Sequence, residues 1–425
     1  MDTTLKNLIL SFTRSIDLYN FLLKNHHRRT TIAAFQIGKA FGCSRSELSN
    51  LVIASSLHDI GALSIQERDD LLRADVENPY PHSQLGYYML STFRPFGEIA
   101  RIVYYHHWPY AQNQECRELM GAVPMESYIL HLADRIEILT GAGRRSILEK
   151  KEEVIATVRE QRGSLFHPEA VDAFLEIANR DSFWLNIENL SLDDVLDQAV
   201  SDVYDVHLSI EDLEDFSYTL SVIIDSRSKF TLAHSYSVSK ISYELAKQLG
   251  YDEEKCRKIR VAGLLHDIGK IAVSNEIIEK PGALTDSERS NVQSHVYYTE
   301  LILRDIAGLE EICDWASNHH ENHEGSGYPD NKSADIVTEE MDIIAYADIY
   351  TALAEDRPYR RGLPQEEIIS IIGKQFVKKH GVKIFNLIKD HKVDLQAASE
   401  ASMKERSQKY TEFETACSTI LAKGC

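Results

Sequence analysis

The chain has 425 residues, of which 43% are hydrophobic and 26% charged, as in a folded globular protein rather than a disordered one. This length exceeds one ordinary hydrophobic core, so we expect two or three domains. The net charge of −20 excludes a general nucleic-acid binder, which needs a basic surface. An anionic ligand would therefore need its own local source of positive charge.

The sequence also limits the compartment in which the protein works. No apolar run approaches the length that spans a bilayer, and the N-terminus lacks the features of a signal peptide. The six cysteines include no CxxC pair, and their spacing suggests no disulfide framework. We therefore expect a cytoplasmic protein, with neither a membrane nor a nucleic-acid polymer among its partners.

The first half of the chain carries a widely spaced set of histidines and aspartates. Ile32, Phe35 and Ile37 follow the first of these histidines in a helical pattern that ends near Gly42. The members that could bind a metal are His26, His58, Asp59, His82, His106, His107 and Asp134.

An acidic segment follows. Residues 181–226 contain twelve Asp or Glu and no Lys or Arg, which we interpret as the solvated face of connecting helices. The tail from about 396 to 425 is polar with scattered apolar residues, typical of a final helix or of a partner contact.

The second half repeats the histidine pattern at nearly the same spacing. In both halves 32 residues separate the first histidine from the His-Asp pair, and 24 separate the next histidine from a His-His pair. The final aspartate follows 28 residues later in the first half and 29 in the second. The second set is His234, His266, Asp267, His295, His319, His320 and Asp348. This agreement predicts an internal duplication.

The pattern around the second set is helical. Val238, Ile241 and Leu245 recur at helical spacing before Gly250, and residues 285–288 form a capping box for a helix that carries His295. No alternating strand pattern occurs, so we predict an all-α fold. Two tandem helical domains, 1–180 and 216–395, would be joined by a helical connector, 181–215, and followed by a tail, 396–425.

Imidazole and carboxylate are the ligands that borderline divalent metals accept. Five histidines and two aspartates exceed what one ion can use, and Asp267 is the natural bridge between two. Two ions about 3.5–4 Å apart suit phosphoryl displacement, because they lower the pKa of a bound water from 15.7 toward about 7. Hydroxide is then available at neutral pH. Lys270, one helical turn after His266, is placed to reach a phosphate oxygen. We therefore predict Lys270 and Asp267 as catalytic residues.

Five segments of the second half together resemble the HD-GYP family of phosphohydrolases. They are "LLHDIGK" (264–270), "KPGALTDSE" (280–288), "HHENHEGSGYP" (319–329), "AYADIYTAL" (345–353) and "DRPYR" (356–360). The resemblance covers residues 220–390 and implies an all-helical domain that hydrolyses a bacterial cyclic dinucleotide. It implies a centre of Fe or Mn held by the second set of residues, with Lys270 on the scissile phosphate. The loop of Gly327, Tyr328 and Pro329 would shape the substrate pocket.

Two departures from the family pattern bear on this reading. Glu324 replaces the usual aspartate ahead of the GYP residues, which puts the geometry of the loop in question. Members with three metals carry a glutamate one turn before the first histidine, where this chain has Phe230. We therefore expect two metals.

The first half resembles an HD domain that keeps all seven ligand positions but lacks the residues around them that would bind the phosphate. Ala62 replaces the lysine, Trp108 follows the His-His pair, and the KPG segment is absent. Three interpretations remain open for this half: a decayed scaffold, a sensory lobe whose metal, redox state or ligand tunes the other half, and a second enzyme. Its set of histidines and aspartates is a candidate second metal site.

The leading hypothesis is a phosphodiesterase acting on cyclic di-GMP or 3′,3′-cyclic GMP-AMP. Arg357, Arg360 and Arg361 offer positive charge for the phosphates, and Tyr328 and Tyr359 offer planes for the bases. The alternatives are a catalytically silent receptor for the dinucleotide and a general HD nucleotide phosphohydrolase. A protein partner at the GYP loop or the N-terminal domain, and a homodimer, are further expectations.

Overall fold

The regular secondary structure of the computed structural model is helical in the part of the chain that it describes. That part comprises residues 3–9, 11, 25–62, 80–112, 122–141, 146–200, 207–226, 233–280, 282–356 and 361–422. Within these ranges there are three isolated β-bridges and no strand. The predicted all-α fold class is confirmed. None of the helices in these ranges is long and apolar enough to cross a bilayer.

The chain divides into two compact units, each with one copy of the histidine pattern. The N-terminal unit comprises Thr4–His207 with Glu414–Cys425, and the C-terminal unit comprises Met1–Thr3 with Leu208–Phe413. The domain boundaries predicted at residues 180, 215 and 395 stay predictions.

The N-terminal unit is built around the buried helix α1, which packs against α2 and α5. Its helices are α1 (His26–Phe41), α2 (Arg45–Leu57), α3 (Tyr80–Ser91), α4 (Gly97–Tyr105), α5 (Met125–Thr140), α6 (Ile147–Glu160), α7 (Pro168–Ala178), α8 (Asp181–Asn189) and α9 (Leu192–Ala199). Gly42 ends α1 with a φ of +89°, and Ser44 opens α2 in a capping box with Glu47. These local signals fix the turn that brings α1 and α2 together.

The C-terminal unit repeats this arrangement, because α11 packs against α12 and α17 as α1 packs against α2 and α5. Its helices are α10 (Ile210–Asp225), α11 (His234–Gln248), α12 (Glu253–Leu265), α13 (Asn275–Ile278), α14 (Asp286–Gln293), α15 (His295–Leu303), α16 (Glu310–Ser317), α17 (Glu339–Ala354), α18 (Gln365–Gln375), α19 (Val377–His380), α20 (Val382–Asp390) and the part of α21 (Lys392–Ala422) that precedes Glu414. Gly250 follows α11 with a φ of +82°, as its position predicted. The tail expected from about residue 396 lies in α21.

The helix predicted from the capping box is present but broken. The side chain of Thr285 accepts from the backbone N–H of Glu288, so the box is confirmed. The helix stops at Gln293, and α15 starts at His295. Ser294 Oγ donates to the Asn291 carbonyl at 2.6 Å, which competes with the regular backbone bonds and permits the break.

Candidate metal centre

The seven predicted ligands of the C-terminal unit meet where helix ends converge on α17. Most lie at the first residue of a helix or just after its last, so the local backbone fixes their direction. They are His234 at the start of α11, His266 and Asp267 after α12, His295 at the start of α15, His319 and His320 after α16, and Asp348 within α17. Three overlapping groups of these residues place one ligand atom each within 4.8 Å of one another.

Asp267 lies between two groups of histidines and faces each with a different oxygen. Its Oδ2 lies 3.7 Å from His234 Nε2 and 3.3 Å from His266 Nε2. Its Oδ1 lies 3.4 Å from His295 Nε2. Asp348 Oδ1 completes the first side, 3.1 Å from His234 Nε2. A carboxylate divided in this way has the geometry that a bridging ligand needs.

The histidines present unpaired nitrogen atoms to the centre. Nδ1 of His266, His295 and His319 lies 2.7–2.8 Å from the backbone carbonyl three residues earlier, which requires the proton on that nitrogen. Their Nε2 atoms are buried without a hydrogen-bond partner. A buried lone pair with no donor is costly unless a cation accepts it. The donor set therefore fits a divalent metal.

The charge states of the ligands agree with this fit. Burial lowers the pKa of His295 to about 4 and that of His320 to about 3, so both imidazoles are neutral at pH 7. Burial alone would raise the pKa of the Asp267 carboxyl, but His266 and Lys270 outweigh it and hold that pKa well below its usual range. Neutral imidazole and ionised carboxylate are the forms that bind metals.

A glycine beside the His-Asp pair permits a close backbone approach. A Cβ on Gly269 would lie 1.9 Å from the carbonyl oxygen of His295. The Gly269 N–H instead donates to Thr299 Oγ1 at 3.1 Å, and that hydroxyl donates to the His266 carbonyl at 3.0 Å. These bonds tie two ligand-bearing segments together, which explains why the HD pair is followed by Ile-Gly.

A buried glutamate that the sequence did not suggest orients the first ligand. Glu355 is 4% exposed, and its Oε2 lies 3.0 Å from His234 Nδ1. Asp225 accepts from the backbone N–H and the hydroxyl of Ser235 at 3.0 and 2.8 Å, which fixes the start of α11. Outer carboxylates of this kind set the tautomer of a ligating histidine. Only the acidic character of Glu355 beside the DRPYR motif could have hinted at this role.

The centre is open toward Lys270. This residue lies in the 3₁₀ turn Ile268–Ala272, and its Nζ is hydrogen-bonded to Asp267 Oδ2. The Lys270 side chain is 24% exposed and that of Asp348 is 17% exposed. The side chains of His234, His266, Asp267 and His295 are nearly inaccessible. A cation therefore lies at the accessible edge of the cluster, where an anionic ligand would approach.

The loop of residues 321–333, called the GYP loop below, lies directly against the centre. The ring of Tyr328 lies 4.7 Å from that of His320, with 35° between the planes. A Cβ on Gly327 would lie 2.5 Å from the His320 carbonyl oxygen, so only glycine fits there. Pro329, the next residue, is half-buried. The three predicted pocket residues thus lie beside one wall of the metal centre.

Buried polar side chains fix the shape of the GYP loop. Glu321 is 1% exposed, and its two carboxylate oxygens accept from the backbone N–H groups of Asp330 and Lys332 at 2.6 and 2.8 Å. Asn322 Oδ1 accepts from the backbone N–H of Glu324 at 3.0 Å. Glu324, which replaces the usual aspartate of the family, is exposed. The additional methylene of its side chain therefore extends from an accessible position.

A second buried carboxylate anchors the GYP loop to the helices behind it. Asp342 on α17 lies 2.7 Å from His323 Nε2 and 3.1 Å from His380 Nδ1. The backbone N–H of His323 donates to the Lys379 carbonyl at 2.8 Å. Sequence reasoning missed Glu321, Asn322 and Asp342 as loop supports, because their partners come from the tertiary fold.

The structure does not describe the two arginines predicted to bind substrate. Arg357 and Arg360, with Tyr359, lie outside the described residues. Arg361 is exposed. Glu355 and Asp356, just before the undescribed stretch, are placed by backbone and side-chain bonds to Thr351 and Gly362.

The N-terminal unit brings its seven predicted ligands together in the same way. Two groups each place their ligand atoms within 4.8 Å of one another: His26, His58 and Asp59; and Asp59, His82, His106 and His107. Asp134 Oδ1 lies 3.4 Å from His26 Nε2. Gly61 repeats the role of Gly269, since its Cβ would lie 2.0 Å from the His82 carbonyl oxygen. The duplication therefore extends to the geometry of the centre.

Comparison with known proteins identifies relatives across most of the chain. A "3′3′-cGAMP-specific phosphodiesterase 1" of Vibrio cholerae is 27% identical over 378 residues, covering 87% of this chain and 88% of the relative. A "3′3′-cGAMP-specific phosphodiesterase 3" of the same organism is 32% identical, covering 63% of this chain and 56% of that protein. A cyclic di-GMP phosphodiesterase of Pseudomonas aeruginosa is 35% identical, covering 35% of this chain and 36% of that protein.

A solved structure has a similar fold over most of the chain. The crystal structure of a cyclic GMP-AMP specific phosphodiesterase of V. cholerae, V-cGAP3, matches with a TM-score of 0.59 and 22% sequence identity. The match covers 95% of this chain and 98% of that one. The profile of the HD domain matches twice, at residues 11–170 and 218–380, which together make up more than half of the sequence. The chain therefore belongs to the HD domain family.

Proposed function

We propose that the protein is a metal-dependent phosphodiesterase that hydrolyses a bacterial cyclic dinucleotide to the linear dinucleotide in its C-terminal unit. One observation carries this proposal: unpaired imidazole nitrogens and the central carboxylate of Asp267 lie beside an ammonium group, Lys270, at an accessible edge. A metal cluster next to a cation suits the attack of water on a phosphodiester. The names of the relatives support the same reaction class.

Two divalent ions would be held by the seven ligands, and we propose Fe or Mn. His234, His266 and Asp348 form one side, His295, His319 and His320 form the other, and Asp267 faces both. Bound there, such ions would supply Lewis acidity and would lower the pKa of water at the phosphate. Glu355 would keep the proton of His234 on Nδ1, leaving Nε2 as the ligand atom.

The remaining groups would bind and orient the substrate. Lys270 Nζ would contact an oxygen of the scissile phosphate, where negative charge develops as the bond to the leaving oxygen breaks. The Tyr328 ring beside the centre offers a plane on which a base can stack. Gly327 and Pro329 would hold that ring in place, and Arg357 and Arg360 are proposed for the second phosphate.

We further propose 3′,3′-cyclic GMP-AMP as the preferred substrate. The relative that matches across both units is named for that dinucleotide, whereas the cyclic di-GMP phosphodiesterase from P. aeruginosa matches about a third of this chain. The protein partner and the homodimer expected from the sequence stay predictions.

The test is a comparison of substrates with a binding control. Protein loaded with Mn or Fe(II) would be offered 3′,3′-cyclic GMP-AMP, cyclic di-GMP and a nucleoside triphosphate separately, and the products separated by chromatography. We expect linear dinucleotide, formed fastest from cyclic GMP-AMP, and a large loss of rate in Lys270→Ala with metal content retained. Binding of the dinucleotide without product in either metal would support the receptor instead. Activity confined to the triphosphate would support a general nucleotide phosphohydrolase.

A further inference from the structure

A cavity of about 520 Å³ opens at the surface of the N-terminal unit, away from the histidines and aspartates. It lies between the C-terminal part of α1, the start of α8 and the end of α9. All of its lining residues belong to the N-terminal unit, and none of them is a predicted metal ligand. Pockets that bind small molecules typically enclose about 300–1,000 Å³. The cavity is therefore large enough for a ligand of that class.

Two basic side chains line this cavity, and no acidic side chain does. Lys39 lies on α1 and Arg180 immediately before α8, and both are exposed. In the part of the chain that the structure describes, neither forms an ion pair with a carboxylate. The whole chain carries 66 acidic against 46 basic residues, so two uncompensated cations at one cavity form a local excess of positive charge. Such an excess attracts an anion.

The acidic residues that flank the cavity along the chain have cations of their own. Asp181 follows Arg180 directly, but its Oδ1 lies 2.9 Å from Lys151 Nζ. Asp197 lies on α9 beside a lining residue, and its carboxylate forms an ion pair with Lys6. These pairs engage the nearest carboxylates, so the charges of the two lining cations remain available to a ligand.

The duplication shows what distinguishes this cavity from the matching place in the other unit. The first histidines of the two sets are 208 residues apart, and the same spacing pairs Lys39 with Lys247 and Gln36 with Glu244. The C-terminal unit thus carries a carboxylate three residues before its lysine, at a distance along the helix where the two charges attract. The N-terminal unit carries a neutral amide at that position, which leaves Lys39 without this partner.

Amide groups and two phenylalanines form the remainder of the lining. Asn186 Nδ2 donates to Gln36 Oε1 at 3.0 Å, and Gln36 Nε2 donates to the Phe183 carbonyl at 3.3 Å. These bonds fix both amides, and Asn186 Oδ1 keeps its capacity to accept. Phe35 and Phe183 are 4% and 2% exposed, so they give the cavity a buried apolar floor. A few polar groups over an apolar floor suit an uncharged ligand body that also forms hydrogen bonds.

We infer that this cavity binds a phosphate monoester on an uncharged, hydrogen-bonding body, the chemistry that nucleoside monophosphates and sugar phosphates share. A phosphate monoester carries a charge of about −1.5 to −2 at pH 7, which two cations match. Lys39 and Arg180 contact its oxygens, and the guanidinium can donate two parallel N–H groups. The body lies over the phenylalanine floor with its polar groups toward Asn186. The N-terminal unit is then a ligand-binding lobe that takes no part in hydrolysis.

Calorimetric titration of the metal-loaded full chain tests this site with GMP, AMP, ribose 5-phosphate, guanosine and inorganic phosphate as separate probes. We expect saturable binding of a phosphate monoester that weakens with added salt, because the two cations are exposed, and much weaker binding of guanosine and of inorganic phosphate. Tighter binding of GMP or AMP than of ribose 5-phosphate would identify the ligand as a nucleotide, and the reverse order as a sugar phosphate. No binding of any of the three monoesters, or equally tight binding of inorganic phosphate as an adventitious ion only, would overturn the inference.

Variants separate this cavity from the metal centre, where a phosphate could also bind. Lys39→Gln and Arg180→Gln should each weaken binding about tenfold or more, because a charge-assisted hydrogen bond to the phosphate is lost. Gln36→Glu introduces the carboxylate of the other unit beside Lys39 and should weaken binding as well. Arg159→Gln is the matched control, since Arg159 is exposed in the same unit and outside the cavity, and it should bind within about twofold of the parent, as should Lys270→Ala. Parental affinity in Arg180→Gln and Gln36→Glu, or binding lost only in Lys270→Ala, would contradict the inference.

Discussion

Replacing Glu321 tests whether the GYP loop must be held in one shape for turnover. Each carboxylate oxygen of this buried side chain accepts one backbone N–H, from Asp330 and from Lys332. In Glu321→Gln one oxygen becomes an NH₂ group that faces a donor, so one charge-assisted hydrogen bond is lost. Such bonds contribute about 1.5–3 kcal/mol each. The metal ligands themselves are not altered.

That loss sets the size of the expected effect. If the energy is needed to order the loop around substrate, kcat/KM falls tenfold for every 1.4 kcal/mol or so, which gives roughly 10- to 100-fold for Glu321→Gln. Glu321→Ala removes both bonds and leaves two backbone donors unsatisfied, so a loss of roughly 100-fold or more is expected. Tyr328 would no longer be held against His320, and the loss would be larger at low substrate concentration.

The assay is steady-state formation of linear dinucleotide, with metal content measured on the same samples. Glu324→Gln is the matched control, because Glu324 lies in the same loop and is exposed. We expect this control to stay within about twofold of the parent, as surface substitutions usually have small effects. A Glu321→Gln variant with full metal content and a kcat/KM within threefold of the parent would refute the reasoning.

Three further predictions concern the ligands. Asp267→Asn should abolish turnover and lower the metal content, because the carboxylate between the two groups is lost; retention of full activity would contradict the bridging role. Glu355→Ala should weaken metal binding about 10- to 100-fold, measured by chelator competition, while Glu355→Gln loses less; equal affinities would show that Glu355 does not support His234. In the metal-free protein, the pKa of His295 lies at about 4 against 6.5 when exposed, so protonation of the unfolded chain removes stability as the pH falls from 6.5 toward 4. Urea denaturation at pH 7 and pH 4.5 measures how much the free energy of unfolding falls between the two. We expect this fall to be about 2 kcal/mol smaller in His295→Asn than in the parent. An equal fall in both proteins would exclude His295 as its cause.

The clustering of the candidate metal ligands could be predicted because their spacing repeats along the chain. The spacings from His26 to His58 and from His234 to His266 are equal, and helix signals such as Gly250 lie between them. Most of the candidate ligands lie at helix ends, so a one-dimensional pattern was enough to group them.

The supports of the site could not be predicted, because they depend on the tertiary fold. Glu355 meets His234 across 121 residues of sequence, and Asp342 meets His380 across 38. Nothing local distinguishes these acids from solvated ones. Glu321 is a similar case, since only the closed loop brings two backbone N–H groups to its carboxylate.

The break at Ser294 was missed for a different reason. Helical periodicity continues through this position, and the side-chain bond to the Asn291 carbonyl that accompanies the break is not visible in an apolar pattern.

The central claim is that the C-terminal cluster hydrolyses a cyclic dinucleotide at phosphorus. The most direct measurement is turnover of 3′,3′-cyclic GMP-AMP by Mn- or Fe(II)-loaded protein in ¹⁸O-labelled water, with the product analysed by mass spectrometry. We predict linear dinucleotide carrying one ¹⁸O on its terminal phosphate from the parent and from Asp59→Asn, and none from Asp267→Asn. Product from Asp267→Asn at the parental rate, or tight binding of dinucleotide with no labelled product from the parent, would contradict the account.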